Sequence, residues 1–396
     1  MKNEPRFQIV VPAFNEEKSL EHVLRHAMDC GYLEHLIIVD DASTDSTPLI
    51  LERWGRNFGL RAIRLQRNCK KEGAIRVVME ALRDAGELKP YTLLLDSDSM
   101  LVGDSSGDSL ISQIEQCIDQ MQQDGYHALA LRIDAVLSNR PRLFELCAFA
   151  DYTAMQFDQW MVGLQGQLWV INGPGGIFET RQLLPILQDM VPDFETGDLL
   201  ITVKLMIQSQ LIGFCPSISV ETFVPGDLQS YFKQRRRWER GTTKVLWNEM
   251  SFYLGLFTRF RLLGISTVVH FSMYLGLIAA LGLIFVGGMQ LYNFYTVLLS
   301  SAALWFLVSI IKGVFIKLTR PRLRFWRYCG CAVLNSGLWM LVTTPARLVG
   351  FAEGVSQILS GVSSPALYPC EVVQHVWLGT TRGVGGSSSV LEACES

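Results

Sequence analysis

Over the first 135 residues, short apolar runs alternate with amphipathic stretches. Phe7-Gln8-Ile9-Val10-Val11-Pro12-Ala13-Phe14 reads as a buried strand, and Asn15-Glu16-Glu17-Lys18-Ser19 opens a helix to about Asp29. Leu36 to Val39 is a second strand, ending in Asp40-Asp41. The turn formers and caps from Ala42 to Pro48 lead into a helix from Leu49 to Phe58. Arg61 to Leu65 is a shorter third strand, Ala74 to Asp84 a helix, and Tyr91 to Leu95 a strand that runs into Asp96. Alternating strands and helices predict an α/β domain with a mostly parallel sheet and ligands at the carboxyl ends of its strands. Asp40, Asp41, Asp96 and Asp98 all fall at such ends. Further on, Ala128 to Ile133 reads as a strand and Glu145 to Gly163 as a helix. The run Trp169 to Gly176 breaks the pattern with glycines, which let a backbone approach a ligand closely.

The pattern changes after about residue 260. Leu262 to Val286 has no formal charge apart from His270 and is long enough to span a bilayer. Asn293 to Ile311 is a second candidate span, and Tyr328 to Thr344 a shorter third. Lys312, Lys317, Arg320, Arg322, Arg324 and Arg327 lie between the second and third, whereas Gly287 to Tyr292 is uncharged. The excess of basic residues places the first of these loops in the cytosol and the second outside. Residues 243 to 260, with Trp247, Phe252, Tyr253 and Phe257, read as an interfacial helix. The expected organisation is an α/β domain over 1–232, interfacial helices over 233–261, an α-helical transmembrane region over 262–350 and a tail over 351–396, low in complexity from Gly383 to Ser389.

Composition adds limits. A chain of 396 residues has room for two or more domains, and its 49% hydrophobic content is uneven, with the apolar runs gathering after about residue 260. A net charge of −3 excludes a generally basic nucleic-acid binder. Nine cysteines without metal-ligand spacing read as free thiols in a reducing compartment. The polar start shows no secretory signal. Neither a Gly-x-Gly-x-x-Gly fingerprint nor a P-loop is present, so the usual dinucleotide and NTPase phosphate cradles are missing.

Two motifs carry chemistry of their own. Asp96-Ser97-Asp98 follows an apolar strand, and alternation along an extended chain puts both carboxylates on one side. Two converging carboxylates repel unless a cation lies between them; Mg²⁺ or Mn²⁺ shared with a diphosphate fits. The plainer alternative is an acidic turn. In Gln234-Arg235-Arg236-Arg237-Trp238, Arg237 can pair with a diphosphate in a fork geometry, and Trp238 offers a flat apolar face for a sugar ring. With Lys233 and Arg240 nearby, the same run also reads as a juxtamembrane cluster for anionic lipid.

Val10-Val11-Pro12-Ala13-Phe14-Asn15-Glu16-Glu17 and Val39-Asp40-Asp41-Ala42-Ser43-Thr44-Asp45 resemble the opening motifs of inverting family 2 glycosyltransferases of the GT-A fold. Gln234 to Trp238 resembles the Gln-x-x-Arg-Trp signature of processive members that make hyaluronan, chitin oligomers, cellulose or poly-N-acetylglucosamine. The resemblance covers roughly residues 7 to 245. It implies a Rossmann-like GT-A domain in which Pro12, Ala13, Glu16, Asp40 or Asp41, Lys71 (or Lys70), Asp96, Gln234 and Arg237 hold the donor, commonly a uridine diphosphate sugar. Asp96 and Asp98 would hold the metal, and Gly173, Gly175 and Trp238 would face the acceptor. Glu195-Thr196-Gly197-Asp198 resembles the Thr-Glu-Asp segment whose last residue is the general base. Here Gly197 stands where Glu is common; Asp198 keeps the base position, with Glu195 a weaker substitute and a helix cap the alternative. Trp377 to Arg382 loosely resembles a gating segment of some processive synthases. That segment is cytosolic, which conflicts with three full spans unless Leu348 to Leu359 re-enters or the third segment does not span.

The expected protein is an integral enzyme of the plasma (inner) membrane with its catalytic domain in the cytosol. It extends a β-linked polysaccharide from a UDP-sugar, with the bilayer and a homo-oligomer or partner subunit as further partners and no nucleic acid. A non-processive transferase to a lipid acceptor, and an inactive transporter or scaffold, are the alternatives.

Overall fold

A computed structural model describes residues 5–104, 106–190, 195–259, 261–268, 272, 291–319, 325–338 and 342–360. It divides into two compact units: the described residues of 1–129 and 173–193, and those of 130–172 and 194–363.

The first unit is built on β1 (Phe7–Ala13), β2 (Leu36–Asp40), β3 (Arg61–Arg64), β4 (Tyr91–Leu95) and β7 (Gly175–Glu179), in the order β3-β2-β1-β4-β7. The first four are parallel, with Ile9 opposite Leu36 and Leu93, and Ile38 opposite Ala62. β7 runs antiparallel to β4, with Gly175 opposite Leu95. Ile9, Val11, Ile38 and Leu93 are fully buried. Such unbroken apolar strands require helices on both faces. These are α1 (Leu20–Asp29), α2 (Thr47–Phe58), α3 (Lys70–Asp84), α4 (Leu110–Gln123) and α6 (Thr180–Asp189).

Three boundaries depart from the pattern, each at a ligand-facing end. The first helix begins at Leu20 rather than Asn15, because Asn15 adopts a left-handed backbone (φ 59°) and the 15–17 segment bonds to the loop after β2. α3 begins at Lys70, four residues early, so Lys70 and Lys71 open a helix instead of lying in a loop. Asp96 and Asp98 are not in an extended chain. They sit in a tight turn closed by Ser99 N–H to the Asp96 carbonyl (3.1 Å), after which β5 (Ser99–Val102) begins. The turn, not strand alternation, brings the two acids together.

The second unit contains neighbouring strands β6 (Ala128–Val136) and β8 (Ile212–Phe223) with α5 (Leu143–Gly163), α7 (Gly197–Ile207), α8 (Leu228–Asn248), α9 (Met250–Thr258), α10 (Leu291–Thr319), α11 (Phe325–Leu338) and α12 (Thr344–Leu359). The expected interfacial helix is two helices, since the chain bends at Glu249; Tyr253 is buried while Trp247 is exposed. α10 and α11 pack on α5, and α12 lies along α8. Among the described residues, no helix is long and apolar enough to cross a membrane. Most of the first candidate span, Leu262 to Val286, lies outside the described residues, as do Arg320 to Arg324, the Trp377–Arg382 segment and the Gly383–Ser389 run. Cys30, Cys117, Cys147, Cys215, Cys329 and Cys331 are free thiols; Cys69 is not among them.

Candidate active site

The carboxyl ends of β1, β2 and β4 gather Pro12, Ala13, Glu16, Asp40, Asp41, Asp96 and Asp98 in the first unit. Three non-glycine residues around them, Asn15 and Ala42 in loops and Lys70 at the start of α3, hold left-handed backbones (φ 59°, 61° and 62°). Such conformations persist where surrounding bonds over-determine them, and those bonds are visible. Asn15 N–H donates to Ser43 Oγ (3.0 Å), Thr44 N–H to Asn15 Oδ1 (2.8 Å) and Glu16 N–H to Thr47 Oγ1 (2.8 Å). Asp41 N–H donates to the Ala13 carbonyl (2.8 Å), which ties the end of β1 to the end of β2.

The two acids after β2 do different work. Asp40 Oδ1 accepts from Ser43 N–H (2.9 Å), and its Oδ2 lies 3.2 Å from Arg64 Nε. Asp41 Oδ1 accepts from Cys69 N–H (2.6 Å), just before α3. Burial raises the Asp41 carboxyl to about 6, against the opposing pull of the Cys69 and Lys70 backbone.

At the turn after β4, Lys71 pairs with Asp96 and donates to the Gly173 carbonyl (3.0 Å). Lys71, not the exposed Lys70, is therefore the lysine at the site, and it supplies a cation that the spacing of the sequence does not disclose. Asp98 is left with Ser99 Oγ–H, which donates to Oδ1 (3.0 Å). Burial, then the charge of Asp96, then that of Glu16 raise its carboxyl to about 6. Gly173 reaches Lys71 because it precedes β7, whose Gly175 is paired beside the same turn. Among the described residues, no group of three acids, histidines or cysteines forms a ready metal cage. The donor set fits a hard divalent ion none the less. It consists of two carboxylates on one turn, one of them raised by burial and by its neighbours' negative charge, and leaves the remaining positions to phosphate and water oxygens.

In the second unit, Asp198 is the second residue of α7; the cap position belongs to Thr196. Asp198 Oδ1 accepts from Leu199 N–H (2.9 Å), and its carbonyl accepts from Thr202 Oγ1 (2.7 Å). Glu195 is bound to Arg240, whose Nε lies 2.6 Å from Glu195 Oε2. The acid that the motif offered as a substitute base is thus already engaged.

α8 distributes its basic run around the helix. Arg235 is buried, with Nη2 donating to Asp151 Oδ2 (2.8 Å). Its guanidinium carbon lies 4.8 Å from the ring centres of both Tyr231 and Trp238. Asn335 Nδ2 donates to Asp151 Oδ1 (2.6 Å), and Tyr231 OH meets Thr343 Oγ1 (3.1 Å). Arg236 Nε donates to Glu353 Oε2 (2.8 Å) on α12, and Arg240 Nη1 donates to the same oxygen (2.8 Å). Arg237 is exposed and has no acidic partner among the described residues. The Gln234 side-chain carbonyl is buried with no hydrogen-bond donor among them.

The family model described as "Glycosyltransferase like family 2" matches residues 5–241. The chain belongs to glycosyltransferase family 2. Its α/β architecture with a mixed sheet fits the expected GT-A arrangement. An N-acetylglucosaminyltransferase of Azorhizobium caulinodans is 24% identical over 251 residues, 60% of this chain and 60% of that protein. A mouse dolichyl-phosphate beta-glucosyltransferase is 33% identical over 84 residues, 18% of this chain and 26% of the relative. The poly(ribitol-phosphate) beta-N-acetylglucosaminyltransferase TarS of Staphylococcus aureus is 31% identical over 100 residues, 24% of this chain and 17% of TarS. The matched regions thus span three fifths or less of each of these relatives. The crystal structure of S. aureus TarS 1–349 with UDP-GlcNAc aligns over 90% of this chain and 92% of that one, at 13% identity and a TM-score of 0.39, too low to carry weight.

Reasoning from the sequence of this family 2 member missed Asp151, Arg64 and Glu353. None has a local signal; each is defined by a partner far along the chain.

Proposed function

We propose that this transferase is a membrane-bound, inverting and processive enzyme that moves a sugar from a UDP-sugar to a growing β-linked polysaccharide. The observation that carries the reading is the sorting of arginines on α8. Arg235, Arg236 and Arg240 are each held by a carboxylate, while Arg237 remains exposed next to a half-buried Trp238. A guanidinium without an acidic partner suits a departing diphosphate, and an indole face suits a sugar ring.

In this reading Pro12, Ala13, Glu16, Asp40, Asp41 and Lys71 bind the nucleotide and its phosphates, with Gln234 beside Arg237. A divalent ion, Mg²⁺ or Mn²⁺, held by Asp96 and Asp98 would offset the diphosphate charge when bound. The Asp198 carboxylate takes the proton of the acceptor hydroxyl as that oxygen attacks the anomeric carbon from the face opposite the diphosphate. The new glycosidic bond forms, the old C–O bond breaks with inversion, and UDP leaves with its electron pair, paired with Arg237. Trp238, with Gly173 and Gly175, meets the acceptor.

The membrane reading rests on the apolar runs after residue 260 and on two contacts of the second unit. Lys312, at the start of the basic stretch, donates to Asp158 on α5 (2.6 Å), and α12 lies along α8. Both put the chain back beside catalytic helices, as a basic loop and a C-terminal segment on the cytosolic side would. Localisation to the plasma (inner) membrane and assembly with a second copy or a partner subunit belong to the same proposal.

The test is incubation of purified full-length protein with a panel of UDP-sugars and Mn²⁺ or Mg²⁺, reading UDP release and product length. UDP-N-acetylglucosamine comes first, because two relatives are named as transferring that sugar. Release of UDP with a ladder of long products is expected, and Trp238→Ala should shorten the ladder. Transfer of a single sugar to a lipid would favour the non-processive reading, to which the mouse relative's name points. No UDP release from any donor would leave the scaffold reading.

A further inference from the structure

Four side chains of the second unit form a line of alternating charge. Arg236 and Arg240, one turn apart on α8, both donate to Glu353 on α12, and Arg240 continues to Glu195. Glu195 is the residue before Thr196-Gly197-Asp198. The backbones close in at the same places. A side chain on Gly350 would collide with the Arg236 carbonyl, and a Cβ on Gly354 would lie 3.1 Å from the Arg240 carbonyl. A Cβ on Gly241 would lie 2.6 Å from Thr196 Oγ1. α12 is thus pressed onto α8 beside its two arginines, and α8 onto the segment that opens α7.

Partly exposed ion pairs contribute little stability. A guanidinium shared between two carboxylates does fix direction, because its donors lie in one plane. With Arg235 on Asp151 and Arg236 and Arg240 on Glu353, α8 cannot turn about its axis without breaking three pairings. That fixes where Arg237 points. Through Arg240, the same carboxylate fixes Glu195 and the backbone that carries Asp198.

We propose that Glu353 is a positioning residue for the transfer reaction: through Arg236, Arg240 and Glu195 it sets the orientation of Arg237 and the placement of Asp198. The inference rests on the reading of Asp198 as base and Arg237 as diphosphate ligand. It also assigns α12, which lies beyond the region matched by the family model, to the working part of the enzyme.

The test compares full-length wild type, Glu353→Gln and Glu353→Asp in UDP release from UDP-N-acetylglucosamine (or whichever donor of the panel turns over) and in amide hydrogen exchange without substrate. Glu353→Gln should lower kcat by about tenfold to a hundredfold and leave the donor KM within about twofold. Glu353→Asp, which keeps the charge, should recover part of kcat. In Glu353→Gln, exchange should quicken across 195–199 and stay unchanged in β4 and α3. Unchanged exchange at 195–199 together with normal kcat overturns the proposal. So does faster exchange throughout the protein, since Glu353 would then act on folding alone. Asp198→Asn is the control for the underlying reading. If it keeps full turnover, the base is misassigned, while the exchange result still reports whether Glu353 holds the segment.

Discussion

Asp98 is disfavoured as an anion. It is largely buried, faces Asp96 and Glu16, and accepts from the Ser99 hydroxyl, which only partly offsets these. Its carboxyl lies at about 6 in the folded protein against 3.8 as the ordinary value. A carboxyl raised on folding favours the native state most below about pH 4, and that contribution is lost as pH rises through about 6. Asp98→Asn should therefore stabilise the metal-free protein by about 2 kcal/mol at pH 7.5, a gain that fades as pH falls through about 6 and is gone below about pH 4. Denaturant titrations in EDTA at the two pH values check this, and a less stable variant at pH 7.5 would contradict it. The same variant should lose UDP-sugar turnover, since the residue that strains the empty fold is the one proposed to hold the metal. Asp198→Asn is expected to behave differently. It should lower turnover by roughly 10²- to 10⁴-fold while UDP still binds, because the proposed nucleotide residues Asp40, Asp41 and Lys71 are untouched. Normal turnover in this variant would remove Asp198 from the mechanism.

At the scale of elements, the apolar runs located β1 to β4 and the helices between them because each carries its own period. The run Gln234 to Trp238 was legible as a motif but not as a geometry. Consecutive helix positions turn by about 100°, so Arg235, Arg236 and Arg237 face three different surroundings. Their partners, Asp151 and Glu353, lie 84 and 117 residues away in sequence. Asp96 and Asp98 show the same limit on a smaller scale, since only the hydrogen bond that closes their turn reveals that the strand has ended. The Asp151 cluster makes a direct prediction. Asp151→Ala would leave Arg235 buried without its counter-charge and remove a partner of Asn335, at a cost of about 3–5 kcal/mol. Chemical denaturation measures the loss, and a change below about 1 kcal/mol would mean that Arg235 finds another acceptor.

For the whole molecule, the sequence predicts a catalytic region followed by a membrane region, whereas among the described residues no helix is long and apolar enough to cross a bilayer. It did not foretell that residues 130–172 belong with the C-terminal helices rather than with the strands that precede them, because compactness depends on long-range contacts with no local mark. The expected topology is testable: cysteine labelling in intact cells should leave residues 312–327 protected and 287–292 accessible, and the reverse pattern would overturn the cytosolic placement. The divided first unit also has a consequence for how the chain is made. β4 is complete at Leu95, but its antiparallel partner does not begin until Gly175. At about 5–20 residues per second, the ribosome needs roughly 4–16 s to make the intervening 79 residues. Throughout that interval one edge of a buried, mostly apolar strand waits for its neighbour, and an open strand edge is a template for any other chain within reach.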